Sequence, residues 1–226
     1  MKKKVPPVSP YIAVSGKSII DVGRIFGSIY GDAGQAATAA ELAQVAHLDW
    51  VPTTLLEFAR VRNGFSFRWE VGGDAQHAPD RGAVKVHPLE YICVDWKDVV
   101  YFDHEPAERQ AQLRDFKIVD FFVDEACVGC YYRPERDEQL YYFDFEDLPQ
   151  PLGVDFWGYL TLLPFTLGYR YWQYLLLDLY ARPVGAGPFQ PARSQTHQLV
   201  ERLQAVVPSF DLAAFVAQYE AVRLPR

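Results

Sequence analysis

The stretch LLEFARVRNGFSFRWE (55–70) changes its hydrophobic period half-way along. In the first half, apolar residues recur every three or four positions, as on the buried side of a helix that Thr53 or Thr54 could cap. Asn63 and Gly64 then tolerate the left-handed backbone of a helix end or a tight turn. Aromatic residues follow at every other position: Phe65, Phe67 and Trp69. That alternation is typical of a half-buried strand, so the stretch predicts a helix–turn–strand corner.

Working outward from this corner, short segments predict the rest of a mixed fold. AATAAELAQVAHL (36–48) indicates an earlier helix, and residues 71–88, rich in Gly, Pro and Asp, indicate a long surface loop. Strands are expected at LEYICVD (89–95), KIVDFFVD (117–124), VGCYYR (128–133) and EQLYYFDFE (138–146), with a short helix at AERQAQLRDF (107–116). Because the strand separations are short, an antiparallel meander is favoured.

The last third of the chain is helical in pattern. DFWGYLTLL (155–163) should end at Pro164, YRYWQYLLLDLY (169–180) predicts a second helix, and two more are expected after Ser194 and after Ser209. Residues 156–177 are apolar enough to suggest a membrane span, but Arg170 and Pro164 argue for a buried helical pair.

The predicted fold class is therefore α+β, a twisted antiparallel sheet flanked by helices, with extra C-terminal helices. We divide the chain into a disordered arm (1–10), an α+β domain (11–182) and a C-terminal helical extension packed on the same domain (183–226). The arm, MKKKVPPVSP, begins like a signal peptide but no apolar run follows, and the three cysteines are an odd number. Both features predict a cytoplasmic protein.

Charge is concentrated in the middle of the chain. Residues 95–155 hold 16 Asp or Glu against six Lys or Arg, a local balance of −10 in a chain whose formal net charge is −7. Such a region repels a phosphate backbone and attracts basic proteins, unless it only aids solubility. The sequence therefore predicts no nucleic-acid partner and leaves a basic protein as the candidate.

Few residues are arranged as catalysis or metal binding would require. Cys127 and Cys130 have the C-x-x-C spacing of a zinc or redox site, but the further ligands that zinc needs are dispersed, so structural thiols are favoured. No nucleophile elbow, zinc-protease motif or dinucleotide fingerprint is present. We predict no cofactor, no metal and no catalytic residue.

Four pieces of the chain, taken in order, carry a family resemblance. They are Val51-Pro52 before TTLLEFARVRNG (53–64), the strand FSFRW (65–69), IVDFFVDEACVGCYY (118–132) leading to LYYFDFED (140–147), and DFWGYLTLL (155–163). Over residues 40–163 or so the chain resembles the SUKH superfamily, which includes yeast regulators of cell-wall synthesis and many bacterial immunity proteins. The resemblance implies an α+β protein-binding scaffold without catalytic residues, often one that neutralises a toxin such as a nuclease.

We therefore expect a non-catalytic immunity-type module whose aromatic and acidic residues bind a basic toxin domain. The expected partner-binding residues are Trp69, Asp103, Glu105, Asp124, Glu125, Asp144, Glu146 and Asp147. Two alternatives stay open. A hydrolase or transferase with an atypical carboxylate site would need a deep cleft lined by carboxylates, and a scaffold or regulatory protein in a larger assembly would need an apolar patch on its C-terminal helices.

Overall fold

The computed structural model describes residues 29–32, 34–72, 78–183 and 185–225 of the 226-residue chain. Within these residues seven strands form one antiparallel sheet, and each strand pairs with its neighbours in the chain. The strands are β1 (Ile29–Asp32), β2 (Phe65–Val71), β3 (Asp80–Val86), β4 (Phe116–Val123), β5 (Ala126–Tyr131), β6 (Tyr141–Phe143) and β7 (Gln150–Pro151). The predicted arm, 1–10, lies outside the described residues.

Eight α-helices are found in the same described residues. They are α1 (Ala39–Gln44), α2 (Thr53–Val61), α3 (Leu89–Ile92), α4 (Ala107–Leu113), α5 (Phe156–Thr166), α6 (Gln173–Ala181), α7 (Ser194–Val206) and α8 (Leu212–Val222). The predicted α+β class, an antiparallel meander with additional C-terminal helices, is confirmed. No helix of the described ranges combines the length and the apolarity that crossing a bilayer requires.

The corner at residues 55–70 forms as predicted, except for its cap. Helix α2 ends before Gly64, whose φ of 84° lies in the left-handed region, and β2 begins at the next residue. Thr53 and Thr54 do not cap the helix, because both lie inside its first turn. The carboxylate of Glu138 accepts their backbone N–H groups instead, at 2.7 and 3.3 Å. A residue 85 positions away thus satisfies this helix end.

Two of the sequence-based assignments are wrong. Residues 89–95 do not form a strand, since Leu89–Ile92 is the short helix α3. The predicted loop at 71–88 contains β3, which pairs with β2 from Phe65↔Val86 to Val71↔Asp80. The sequence did not reveal strand β3, because Gly and Asp interrupt the alternation of apolar and polar residues. The strand is stabilised by pairing with β2 rather than by the strand propensity of its own residues.

The sheet separates two hydrophobic cores. The broad core is formed with helices α2, α3 and α5 to α8 and contains the aromatic side chains of β2 together with residues such as Tyr159, Trp172 and Phe215. The small core lies on the opposite face of β4 to β6, where Leu113 of α4 and residues 100–101 cover Phe116, Ile118, Cys127 and Phe143. We call these two sides of the sheet the helical face and the α4 face.

The C-terminal helices close the helical face. Phe215 of α8 packs on Trp172 with ring centroids 6.3 Å apart, and the Tyr219 hydroxyl donates to the Leu152 carbonyl at 3.1 Å. These contacts join residues on both sides of position 182, where we divided the chain. Helix α5 does not end at Pro164 as predicted but two residues later, before Leu167 and Gly168, which both have positive φ.

Candidate functional site: an acidic edge on the α4 face

Five of the eight expected contact residues come together beside helix α4. We call them the acidic edge: Asp103, Glu105, Asp144, Glu146 and Asp147. Residues 103–105 precede α4, and residues 144–147 follow β6. Arg109 of α4 joins the two segments, because its guanidinium donates to the Glu105 carboxylate at 2.8 Å and to the Phe145 carbonyl at 3.1 Å. The sequence predicted the acidic residues but not the arginine that gathers them.

The segment after β6 is a tight turn built on aromatic packing. Asp144 accepts the backbone N–H groups of Glu146 and Asp147 at 3.2 and 3.4 Å. Phe145 has a φ of 66°, and its ring packs on Phe143 and Phe121 of the small core, with centroids 4.9 and 6.1 Å apart. The turn thus holds Glu146 and Asp147 on a fixed base, where both are exposed.

The residues of the acidic edge differ in how well their charge is balanced. Glu105 is largely enclosed; burial would raise its pKa, but the Phe102 N–H and the Arg109 guanidinium outweigh burial and lower it. Asp103 is exposed and pairs with Lys97 at 2.8 Å. Within the described residues, Asp144, Glu146 and Asp147 form no ion pair. Three unbalanced carboxylates therefore lie within four positions of one another.

Asp124 and Glu125 occupy a different environment from the acidic edge. They form the turn between β4 and β5 and line a groove of about 960 Å³, which strands β2 and β3 border on the other side. We call it the arginine groove, because Arg68, Arg81 and Arg170 also line it. Arg170 pairs with Glu125 at 3.0 Å, and Arg81 pairs with Glu70 at 3.0 Å. Charges of both signs meet there, so the groove lacks the one-sided field expected for a basic partner.

Trp69 is a core residue, so its prediction as a partner contact is wrong. Its side chain is 1% exposed, and its indole N–H donates to the Leu167 carbonyl at 2.8 Å. The ring lies over Gly82, its register partner on β3, where any Cβ would overlap the indole. The alternation of β2 turns Trp69 inward with Phe65 and Phe67.

The C-x-x-C pair lies within strand β5, and this position determines whether the two thiols can act together. Residues three apart on a strand point to opposite faces; accordingly Cys127 belongs to the small core and Cys130 to the broad core. Both thiols are free, and burial raises their pKa values. The two sulfur atoms therefore cannot share a metal ion or a disulfide in this fold. Among the described side chains, no group of His, Cys, Asp and Glu is arranged to hold a metal.

Asp120 is a buried carboxyl group that we did not single out from the sequence. Ile118 faces Gly129 and Asp120 faces Val128, so β4 carries one extra residue there, a bulge. The bulge turns Asp120 toward the broad core, where it accepts the Lys85 N–H and the Tyr159 hydroxyl, both at 2.7 Å. Burial raises the pKa of Asp120 to about 6. An Asp inside the apolar run IVDFFV (118–123) was the available signal for this site.

The fold and the acidic edge together define a mixed α+β protein with a localised, unbalanced negative surface beside a short helix. No protein-family model, no curated protein and no solved structure matches the chain. The SUKH resemblance thus stays a prediction.

Proposed function

We propose that this protein is a non-catalytic binding module whose acidic edge binds a basic protein. The observation that supports the proposal is the cluster of Asp144, Glu146 and Asp147, which no cation among the described residues balances. Holding like charges together on a fixed turn costs stability, and a basic partner would convert that cost into attraction and faster association. The same charges would repel a nucleic acid.

Within this proposal, the partner class that agrees with the SUKH resemblance is a toxin. A nuclease domain carries a basic surface where it binds its own substrate, so an acidic protein covering that surface blocks the enzyme. An immunity protein of this kind would act in the cytoplasm, where such a toxin works. The aromatic anchor expected at Trp69 has to be found elsewhere, because that ring is enclosed.

The hydrolase alternative lacks a suitable carboxyl group on the described surface. A raised pKa in an accessible cleft would mark a general acid, but Asp120, whose pKa is raised to about 6, is 0% exposed. The scaffold alternative required an apolar patch on the C-terminal helices. The large hydrophobic residues exposed in the described chain lie outside those helices: Val61, Tyr91, Val94, Val99 and Leu148.

Co-expression tests the immunity proposal directly. The product of each neighbouring gene is expressed with and without this chain, and cell growth and complex formation are measured. We expect one product to be toxic alone and tolerated with the chain. The variant Glu146→Lys/Asp147→Lys should lose both protection and the complex. Asp49→Lys/Glu201→Lys changes the net charge equally at two other exposed positions and should keep both.

The proposal fails if the charge-reversed edge protects cells as well as the unaltered chain does. It fails equally if no neighbouring product is toxic and none forms a complex with the chain.

A further inference from the structure

A groove of about 550 Å³ runs along α4 next to the acidic edge. Its lining comes from α4, the residue before β4, the end of β5 with Arg133 just beyond it, and the residue that follows the acidic edge. The lining residues are Glu108, Ala111, Gln112, Asp115, Tyr131, Arg133 and Leu148. We call it the α4 groove. It lies outside the arginine groove, and none of the expected contact residues lines it.

Leu148 is the apolar feature that distinguishes the α4 groove. It directly follows Asp147, and 43% of its surface is exposed. One exposed leucine is ordinary by itself. This one, however, shares its groove with Ala111 and with the half-buried ring of Tyr131, so an apolar side chain entering the groove would find contacts on several sides.

Charge around the groove is arranged by the sheet register. Residue 150 pairs with 142 and residue 143 with 127, which places Leu148 toward the start of β5, on the side of the acidic edge. Arg133 follows the other end of β5, and its guanidinium carbon lies 3.9 Å from the Tyr131 ring centroid. Asp115 lies at the same end as Arg133, because its carbonyl accepts the Tyr132 N–H at 2.8 Å, and Glu108 of α4 also lines the groove. The apolar contact at Leu148 therefore lies directly beside the unbalanced carboxylates of the acidic edge, and the cation Arg133 lies beyond the far end of β5.

We propose that the α4 groove takes an apolar side chain presented by a basic segment of the partner, with flanking Lys or Arg residues on Glu146 and Asp147. The proposal rests on the proposed function and deepens it. Tight protein interfaces often combine a buried apolar anchor with a charged rim. Burial of the anchor provides most of the affinity, while the charges orient the partner and raise the rate of association. The α4 groove thus takes the place of the anchor that we expected at Trp69.

Three synthetic peptides probe the groove with the full-length, 15N-labelled protein at physiological salt. The first alternates Lys with Leu or Phe; the second has Ser in place of the apolar residues; the third has Glu in place of Lys. We expect the first to bind about tenfold tighter than the second, the gain of burying one large apolar side chain. Its amide shifts should centre on Ala111, Tyr131 and Leu148. The third should not bind.

Variants separate this inference from the proposed function. Leu148→Ser should lower affinity for the first peptide to that of the second, whereas Val61→Ser, at a similarly exposed apolar position, should leave it unchanged. If Leu148→Ser has no effect while Glu146→Lys/Asp147→Lys abolishes binding, the α4 groove is not the apolar binding site, and the proposed role of the acidic edge is retained. If neither Lys peptide binds, the proposal for the α4 groove fails, and the proposed function is decided by the co-expression experiment.

Discussion

The two faces of the sheet are built by different means. On the helical face, aromatic rings and long apolar side chains from six helices enclose the broad core, and Trp69, Tyr159 and Phe215 have almost no exposed surface. On the α4 face, one short helix and a few turns cover the small core. Polar contacts from Arg109 and Asp144 hold those turns in place.

Because of this difference, we expect the helical face to determine stability and the α4 face to determine binding. Apolar burial on the helical face is large, so most of the folding free energy should depend on it. The α4 face buries less and leaves Asp103, Glu146 and Asp147 facing water, which a binding surface requires. Substitutions on the first face should therefore change unfolding, and substitutions on the second should change binding.

The largest effect should come from Trp69→Ala. Removing the indole leaves a cavity between β2, Gly82 and the α5–α6 connection, and it also removes the hydrogen bond to Leu167. We expect the free energy of unfolding to fall by about 3–5 kcal/mol in urea titrations. Trp69→Phe, which keeps a ring but loses the N–H donor, should cost less. Equal losses for the two variants would show that the hydrogen bond, not the packing, matters at this position.

The second effect concerns Asp120 and pH. Its pKa is about 6 in the folded state against an ordinary value of 3.8 for an Asp side chain, so the folded state binds the proton more tightly. Stability from this group is present below about pH 4 and is lost as the pH rises through 6, by up to about 3 kcal/mol. Asp120→Asn keeps an acceptor for the Lys85 N–H but does not titrate. Urea titrations from pH 4 to 7 should show the unaltered chain losing stability relative to this variant.

A pH dependence that is the same for both proteins would contradict a raised pKa at Asp120. Tyr159 donates to this carboxylate, so Tyr159→Phe gives a second measurement. Without that donor the charged form is less favoured, and the transition should move to higher pH.

The helix–turn–strand corner was predictable because its signals are local. The period changes at Asn63 and Gly64, and the buried side of each element follows from spacing alone. Strand β3 and the cap from Glu138 were not predictable in this way, because each depends on a partner far along the chain. Trp69 was misassigned for the same reason: the alternation places it on one face but does not say which face the helices cover.

The candidate site was predictable in residue type and not in arrangement. The acidic bias of residues 95–155 is a property of the sequence. Which of these carboxylates are balanced depends on ion pairs with single Lys or Arg side chains, which the fold brings to them. Arg170 balances Glu125, and Arg109 balances Glu105. No spacing rule connects residues 45 positions apart, so only the fold could show which carboxylates are left over.

A smaller effect is expected for Arg109→Met. The Arg109 side chain is 23% exposed in its pair with Glu105, and its hydrogen bond to the Phe145 carbonyl fixes the turn that carries Glu146. We expect a loss of about 1–2 kcal/mol in the free energy of unfolding. Lys97→Met removes a cation from the more exposed pair with Asp103 and should leave stability almost unchanged, because solvent screens that pair. Similar losses for both would mean that Arg109 does not join the two segments.

The smallest change in the free energy of unfolding should come from Asp147→Asn, because a residue that serves binding alone should contribute little to stability. Asp147 is exposed, and its neighbours Asp144 and Glu146 repel it, so removing its charge should leave unfolding unchanged or raise stability by at most about 0.5 kcal/mol. Added salt should reduce even that gain, because exposed charges are screened.

Asp144→Ala differs, since it removes the acceptor for two backbone N–H groups and should destabilise by about 1 kcal/mol. A clear loss of stability for Asp147→Asn would make that carboxylate part of the fold, and the acidic edge would then have one fewer charge to offer a partner.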